Sequence, residues 1–311
     1  MEAGIHKDLG MEAGIHKDLL CVLIPAFNEA KVIRRSILSC YKAGVAPANV
    51  YVVDDGSTDQ TADIAQHYRT NVLTIVNSGK ARALEAGLLH FHLADRYDYI
   101  MILDADSRLS EAYLPAMKRA IAEHPEVVLF SSVQQSERTS RWNPLTAYRA
   151  MEYTVFGGIV REAQHLCSTI SIVPGPGSLF RSEVFASMDF KHLTLIEDIE
   201  WTCILHRRGY GDRIWYVPEP VVLTQDPRTL REFCGQLMRW NRGIWQVIRK
   251  YRLGRGGQRI DVEWAVLLLE QCVLSTLFLV LIPVWFYVSM RTELWWIGID
   301  QGILLTFAAL T

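Results

Sequence analysis

The sequence predicts an α/β fold, a mostly parallel sheet flanked by helices, followed by an amphipathic segment and transmembrane helices. Three observations carry this prediction. Short β-rich runs alternate with helical stretches, acidic residues recur at the ends of those runs, and the carboxyl-terminal part is first basic and then apolar. With 50% hydrophobic and 21% charged residues among 311, the chain is too apolar for disorder and long enough for one large domain with an appendage.

The elements follow in order. Residues 1–10 and 11–20, MEAGIHKDLG and MEAGIHKDLL, are one unit repeated with a single change. Two copies are too few for a solenoid and carry no apolar signal stretch, so residues 1–19 read as a duplicated polar leader and the fold begins near Leu20. Residues 20–233 form the α/β domain. Its strands are Cys21–Phe27, Val50–Asp55, Asn71–Val76 and Tyr99–Asp106, with helices starting near Glu29, Gln60, Lys80 and Glu111. Helices of that length between strands imply βαβ units, whose ligands bind beyond the carboxyl ends of the strands.

Residues 234–260 are an amphipathic basic segment, with seven Arg or Lys and no acidic residue from Arg239 to Ile260. Residues 261–311 read as a membrane region of one or two spans. Cys272–Met290 is uncharged throughout, and a second apolar run, Leu294–Thr311, reaches the last residue. A chain ending within an apolar run is what a longer native protein would leave. Basic residues directly before the span place the α/β domain on the cytoplasmic side of the membrane.

Composition narrows the function. The 32 Lys and Arg against 34 Asp and Glu leave a net charge of −2, which gives no reason to expect a nucleic-acid partner. The six cysteines form no CxxC pair, so neither a disulfide scaffold nor a structural zinc site is indicated. PAFNEA follows the first strand where a dinucleotide site needs GxGxxG, which disfavours nicotinamide and flavin.

The chemistry-bearing residues sit at the strand ends. Asp54 and Asp55 close the second strand and lead into a GSTD turn. Gly79, Lys80 and Arg82 follow the third, offering a turn and two cations or a plain solvated helix start. Asp104 and Asp106 end the fourth, where i,i+2 side chains of an extended strand face one way and two carboxylates can share a hard divalent cation such as Mg²⁺ or Mn²⁺. A solvated turn uses the same residues. Downstream, Gly175, Gly177 and Ser178 belong to a VPGPGS stretch that lets backbone approach a ligand or simply makes a turn.

In IEDIEW, Glu197 and Glu200 share a helix face and Asp198 is set apart as a candidate general base, with a macrodipole-favoured acidic helix start as the alternative. Gln236, Arg239 and Trp240 lie at i, i+3, i+4 of a helix, presenting an amide, a phosphate-binding guanidinium and an indole for stacking on a sugar. An interfacial membrane helix would use the same three.

In this order DDGSTD, DAD, ED and QLMRW resemble the D, DxD, ED, QxxRW series of the inverting family 2 glycosyltransferases, in particular the membrane-embedded processive branch that includes the synthases of cellulose, chitin, hyaluronan and poly-N-acetylglucosamine. The resemblance runs from Leu20 to the first span. It implies a GT-A fold, a UDP-sugar donor, Mg²⁺ or Mn²⁺, and a saccharide or glycolipid acceptor at the membrane lipid surface.

Carried onto this chain, Asp54, Asp55, Lys80 and Arg82 would lie at the nucleotide, and Asp104 and Asp106 at the diphosphate and metal. Gln236 and Arg239 would hold the diphosphate, and Asp198 would be the catalytic base. Gly175, Gly177, Ser178, Glu197 and Trp240 would border the acceptor. Glu197 and Glu200 are expected to raise the Asp198 pKa by like-charge repulsion. Two spans do not make a polymer channel, so further chain, partner chains in a homo- or hetero-oligomer, or a non-processive reaction on a lipid-linked acceptor are the alternatives. Nucleotidyl transfer gives the indole no role, and a silent scaffold leaves DAD and ED unexplained.

Overall fold

The computed structural model describes residues 17–137, 143–191, 193–227 and 229–291. The amino-terminal half runs β1 (Asp18–Ala26), α1 (Ile33–Lys42), β2 (Val50–Asp54), α2 (Thr61–His67), β3 (Asn71–Thr74), α3 (Lys80–His90), α4 (Leu93–Arg96) and β4 (Tyr97–Ile102). Then come β5 (Arg108–Leu109), α5 (Tyr113–Glu123), β6 (Leu129–Ser136), α6 (Pro144–Thr154), α7 (Arg161–Leu166), β7 (Ser178–Arg181), α8 (Ser182–Ala186), α9 (Glu197–Arg207), β8 (Ile214–Thr224), α10 (Leu230–Tyr251) and α11 (Arg259–Arg291).

Eight strands form one sheet in the order β3-β2-β1-β4-β7-β6-β8-β5. The first four are parallel, β7 is antiparallel to β4 and to β6, and β6 pairs β8 in parallel. The sheet is thus mixed, because β7 enters its middle against the direction of its neighbours.

Both faces are covered, which is why the strands read as near-continuous apolar runs. On β1, Val22 and Ile24 join one core and Cys21 and Leu23 the other; β2 divides Val50 and Val52 from Tyr51 and Val53 in the same way. Gly87 of α3 allows close approach here, since a Cβ would lie 2.6 Å from Val53 and 2.8 Å from Leu23.

β1 begins at Asp18, so the second leader copy contributes its last residues to the sheet, and Lys17 Nζ donates to the Ala94 carbonyl (2.8 Å). The fold therefore starts before Leu20; residues 1–16 lie outside the described residues.

The carboxyl-terminal helices add a third core joining α9 to α10 and α11 through Ile196, Ile199, Cys203, Val247, Ile248, Ile260 and Trp264. α10 opens with a capping box, in which Thr229 Oγ1 accepts from Glu232 N–H (3.2 Å) and the Glu232 carboxylate accepts from Thr229 N–H (3.4 Å). It stops where Arg252 turns left-handed at φ 51°. The division expected at residues 233/234 falls inside α10, and that at 260/261 inside α11. Among the described residues no helix is long and apolar enough to cross a membrane. Along α11, Val266, Leu269, Val273, Leu277, Val280 and Val284 are exposed. The Leu294–Thr311 run lies outside the described residues.

Candidate active site

The site lies beyond the carboxyl ends of β2, β3 and β4, where four segments converge. The first is the DDG turn. Gly56 takes φ +74°, and a Cβ there would lie 2.8 Å from the Asn77 backbone nitrogen, so the turn sits flush against the loop after β3. Asp54 is buried and accepts from Ser57 N–H (3.3 Å). Asp55 is buried with both oxygens engaged: Oδ1 accepts from Ser78 N–H (2.7 Å) and its hydroxyl (3.2 Å), and Oδ2 from Gly79 N–H (2.8 Å). Asp55 therefore builds the loop that launches α3, and Asp54 holds the turn.

Lys80 is the first residue of α3, and its ammonium is the hub of the site. Nζ stands 2.8 Å from Asp104 Oδ1 and 2.6 Å from Glu197 Oε1, joining the loop after β4 to the start of α9. Burial alone would lower its pKa; the two carboxylates more than offset that and hold it above the ordinary lysine range. Arg82 pairs instead with Glu85 of its own helix (2.6 Å) on the exposed side.

Asp104 and Asp106 come together by a route other than strand alternation. β4 ends at Ile102, and the DAD residues form a turn in which Ser107 N–H donates to the Asp104 carbonyl (3.0 Å). The carboxyl of Asp106 is pushed up to about 6 by burial and by the charge of Asp104. Glu29, in the loop after β1, is pushed up to about 7 by burial and then by Asp106, Asp59 and Asp104. In the sequence Glu29 reads as a helix start, and its NEA segment as evidence against a dinucleotide site. An acidic residue just beyond a parallel strand was the signal available.

α9 supplies Glu197 and Asp198 from its first turn. Burial opposes ionisation of Glu197, but Lys80 holds it below the usual carboxylate range. Asp198 is raised to about 6 by burial and by Glu197, with Lys80 pulling the other way. Its Oδ1 accepts from Ile199 N–H (2.8 Å). Glu200 does not belong with them. Fully buried, it accepts from Lys250 Nζ (2.5 Å), Tyr251 OH (2.8 Å) and Thr194 N–H (2.5 Å), tying α9 to α10. The expected repulsion on Asp198 thus comes from Glu197 and not from Glu200, which points away into its own network.

The glycine stretch between α7 and β7 closes over the hub. A Cβ at Gly175 would lie 3.1 Å from Lys80 Nζ. Gly177, at φ +77°, is wedged where a Cβ would meet Val222 at 2.3 Å and Ser132 Oγ at 2.7 Å, and its carbonyl accepts from Tyr113 OH (2.6 Å). Ser178 is buried and its hydroxyl donates to the Pro174 carbonyl. Gly175 approaches the charged cluster, and the contacts of Gly177 and Ser178 described above shape the loop.

α10 brings Gln236 and Arg239 to an open cleft of about 300 Å³ that Gln225, Asp226, Pro227, Glu232 and Gly235 complete. Gln236 Oε1 is buried without a hydrogen-bond partner among the described residues, and Arg239 contributes to lowering the Glu197 pKa. Trp240 is half-buried, with the Arg149 guanidinium 5.0 Å from its ring centre.

Two oxygen donors on one turn suit a hard divalent ion, but they do not make a cage. Among the described residues no group of three or more His, Cys, Asp or Glu is placed to hold a metal. An ion held by Asp104 and Asp106 would take its further ligands from beyond these two carboxylates, as Mg²⁺ is commonly held between carboxylates and substrate phosphates.

An α/β domain with a lysine-bridged carboxylate cluster at the strand ends and a further buried carboxylate on α9 is suited to group transfer. The family comparison agrees: the glycosyl transferase family 2 model matches residues 21–188, and the chain belongs to that family of enzymes. The chain is 26% identical over 232 residues to the poly-beta-1,6-N-acetyl-D-glucosamine synthase of Staphylococcus aureus strain COL, covering 73% of this chain and 54% of the relative. It thus spans about half the length of the curated relatives it matches.

Glucosyl-3-phosphoglycerate synthase from Mycobacterium tuberculosis, solved with phosphoglyceric acid, shares the fold at a TM-score of 0.51 and 19% identity, covering 74% of this chain and 79% of that one. The same enzyme solved with Mn²⁺, UDP-glucose and phosphoglyceric acid compares at TM-score 0.47 and 21% identity, covering 69% and 74%.

Proposed function

We propose that the chain transfers a hexosyl or N-acetylhexosaminyl unit from a UDP-sugar to a growing β-linked saccharide, with inversion, at the cytoplasmic face of a membrane. The observation that carries the reading is the Lys80 ammonium bridging Asp104 and Glu197, with Asp198 next to Glu197 on α9; it supports reading Asp104 and Asp106 as the metal-binding turn and Asp198 as the base. The name of the Staphylococcus aureus relative favours UDP-N-acetylglucosamine as donor. The exposed apolar side chains of α11 and the uncharged Cys272–Met290 segment favour a lipid-facing position.

In this mechanism Asp198 takes the proton of the acceptor hydroxyl as that oxygen attacks the anomeric carbon from the face opposite the leaving diphosphate. Its raised pKa suits a base working near neutral pH, and its position in the first turn of α9 helps keep it ionised. Lys80 meets negative charge at the Asp104 side, and Arg239 and Gln236 offer a guanidinium and an amide to phosphate oxygens. Asp55 fixes the loop that carries Lys80, and Trp240 offers an apolar platform for the acceptor ring. Mg²⁺ or Mn²⁺ held by Asp104 and Asp106 would neutralise charge on the departing diphosphate.

The test is a panel of radiolabelled UDP-sugars with Mg²⁺ or Mn²⁺, given to the detergent-solubilised chain, with products sized. Incorporation from UDP-N-acetylglucosamine into a long polymer is expected. A short lipid-extractable product would move the assignment to glycolipid synthesis, and no incorporation from any UDP-sugar would reject the reading.

A further inference from the structure

We propose that Arg149 is a positioning residue for the acceptor platform, its buried guanidinium holding the Trp240 indole in place from below. The inference rests on the reading of Trp240 as that platform. Arg149 belongs to no motif and lies on α6, far from QLMRW in sequence, yet its side chain is almost wholly buried (2% exposed) between α6, α10 and the end of β8.

Its surroundings are aromatic and acidic. The guanidinium carbon lies 5.0 Å from the Trp240 ring centre and 4.6 Å from that of Tyr153, within cation–π range of both. Nη1 stands 2.5 Å from Glu152 Oε2, and Nη2 donates to Tyr153 OH (2.6 Å). Glu152 and Tyr153 are one turn along the same helix, so α6 can satisfy those edges of the arginine without help from α10. Contact with Trp240 is an addition to that local arrangement. A second aromatic pair, Tyr148 against Phe233 (5.7 Å, edge-on), fixes how α6 sits on α10; Phe233 and Trp240 are two turns apart on one helix face.

The remaining edge of Arg149 argues against a role in stability alone. Arg149 Nε and Asp226 Oδ1 are 4.0 Å apart, both buried and both without a hydrogen bond among the described residues. A network selected for stability would close that gap, because unsatisfied buried polar atoms are costly. Asp226, held by the Ser136 hydroxyl through its other oxygen, lines the cleft with Gln236 and Arg239. One arginine thus touches the indole of the QxxRW segment and faces the carboxylate of the cleft beside it. With one indole face toward the guanidinium and the ring also packed against the third core, the exposed part of the half-buried indole is what is left to a sugar.

The experiment uses the full chain with UDP-N-acetylglucosamine as donor and a short β-linked N-acetylglucosamine oligosaccharide as acceptor, comparing Arg149→Met, Arg149→Lys, Trp240→Ala and the Arg149→Met/Trp240→Ala double variant. Arg149→Met is expected to raise the acceptor KM about tenfold, and Arg149→Lys about threefold, with the donor KM unchanged within about twofold. The double variant should be no worse than Trp240→Ala, as expected of residues acting through one contact.

Multiplying effects in the double variant, an equal rise in donor KM, or an unchanged acceptor KM in Arg149→Met would overturn the proposal. If Arg149→Met does not fold, Arg149→Lys decides: an unchanged acceptor KM overturns the proposal. A silent Trp240→Ala removes the platform reading and the proposal with it. A defective Trp240→Ala beside a silent Arg149 variant removes the proposal alone.

Discussion

Replacing Lys80 by Met should move the acid limb of the pH–rate profile upward. Asp198 has a pKa of about 6, set by burial and Glu197 and held down by Lys80, so the wild-type rate should fall as pH drops through about 6 and the base becomes protonated. Lys80 lies 2.8 Å and 2.6 Å from its carboxylate partners, each contact worth about 6 kcal/mol of gross Coulomb attraction at an effective dielectric of ~20.

Desolvation offsets much of that. Because the Lys80 side chain is 33% exposed, solvent screening leaves about 1–3 kcal/mol for the effect on a neighbouring acid, or one to two pH units. Without the ammonium, the limb should therefore stand at about pH 7–8, and near pH 6.5 the rate relative to its own plateau should drop roughly eightfold. UDP release from UDP-N-acetylglucosamine, followed from about pH 5 to pH 9 at saturating donor, measures this directly. A folded Lys80→Met variant whose plateau falls while the limb stays in place would refute the electrostatic reasoning and leave Lys80 a donor-binding role only.

Three further outcomes are expected. Asp198→Asn should cut turnover by about two to four orders of magnitude while donor affinity, read by UDP binding, changes little; a full-rate variant would remove Asp198 as the base. Asp106→Ala should weaken UDP binding in the presence of Mg²⁺ or Mn²⁺ and leave binding in a chelator unchanged, and an unaltered metal response would move the cation elsewhere. Glu200→Ala strips three partners of a fully buried carboxylate and should destabilise the fold by about 3–5 kcal/mol, seen as a lower denaturant midpoint, whereas a normal midpoint would mean that α9 and α10 are held by their apolar contact alone.

β1, β2 and β4 were legible because they are buried on both faces and read as near-continuous apolar runs, and the half-buried edge strand β3 was legible from its β-rich run, while the strand that makes the sheet mixed was not. β7 is four residues long, SLFR, and follows a glycine loop; nothing in so short a run tells its direction, which is set by pairing with β4 and β6. Asp104 and Asp106 were found with the wrong local reason, since strand alternation and a tight turn both bring i,i+2 carboxylates together. The acidic run of α9 was legible as a site, but not its division of labour.

Glu197 and Glu200 are one turn apart, and both are expected from the sequence to raise the Asp198 pKa. A lysine from α3 claims the first, and a lysine and a tyrosine from α10 claim the second, and those partners are distant in sequence. Asp55 and Ser178 are polar residues in a motif whose groups are spent on neighbouring backbone. Arg149 left no signal, because its meaning comes from a helix that packs on it some ninety residues later in the chain.

The same reasoning on Lys80 makes a prediction of opposite sign. Glu197 is the carboxylate that raises Asp198, and it is also a partner that neutralises Lys80. Glu197→Gln removes a negative charge beside the base and leaves the ammonium less compensated. Both changes favour the ionised form of Asp198, so its pKa should fall and the acid limb should move below pH 6, by about one unit. At low pH this variant should keep more of its plateau rate than the wild type does, even if the plateau is lower.

Combined with Lys80→Met the two shifts should largely cancel, because one variant deletes a positive and the other a negative charge from the same cluster. Solvent-exposed groups would give shifts that shrink together as salt is raised to about 1 M, whereas these should persist, since the charges are partly buried. If Lys80→Met and Glu197→Gln move the limb in the same direction, the titrating group is not Asp198 as placed here, and the base must be sought elsewhere, with Glu29 and its pKa of about 7 as the next carboxylate to replace.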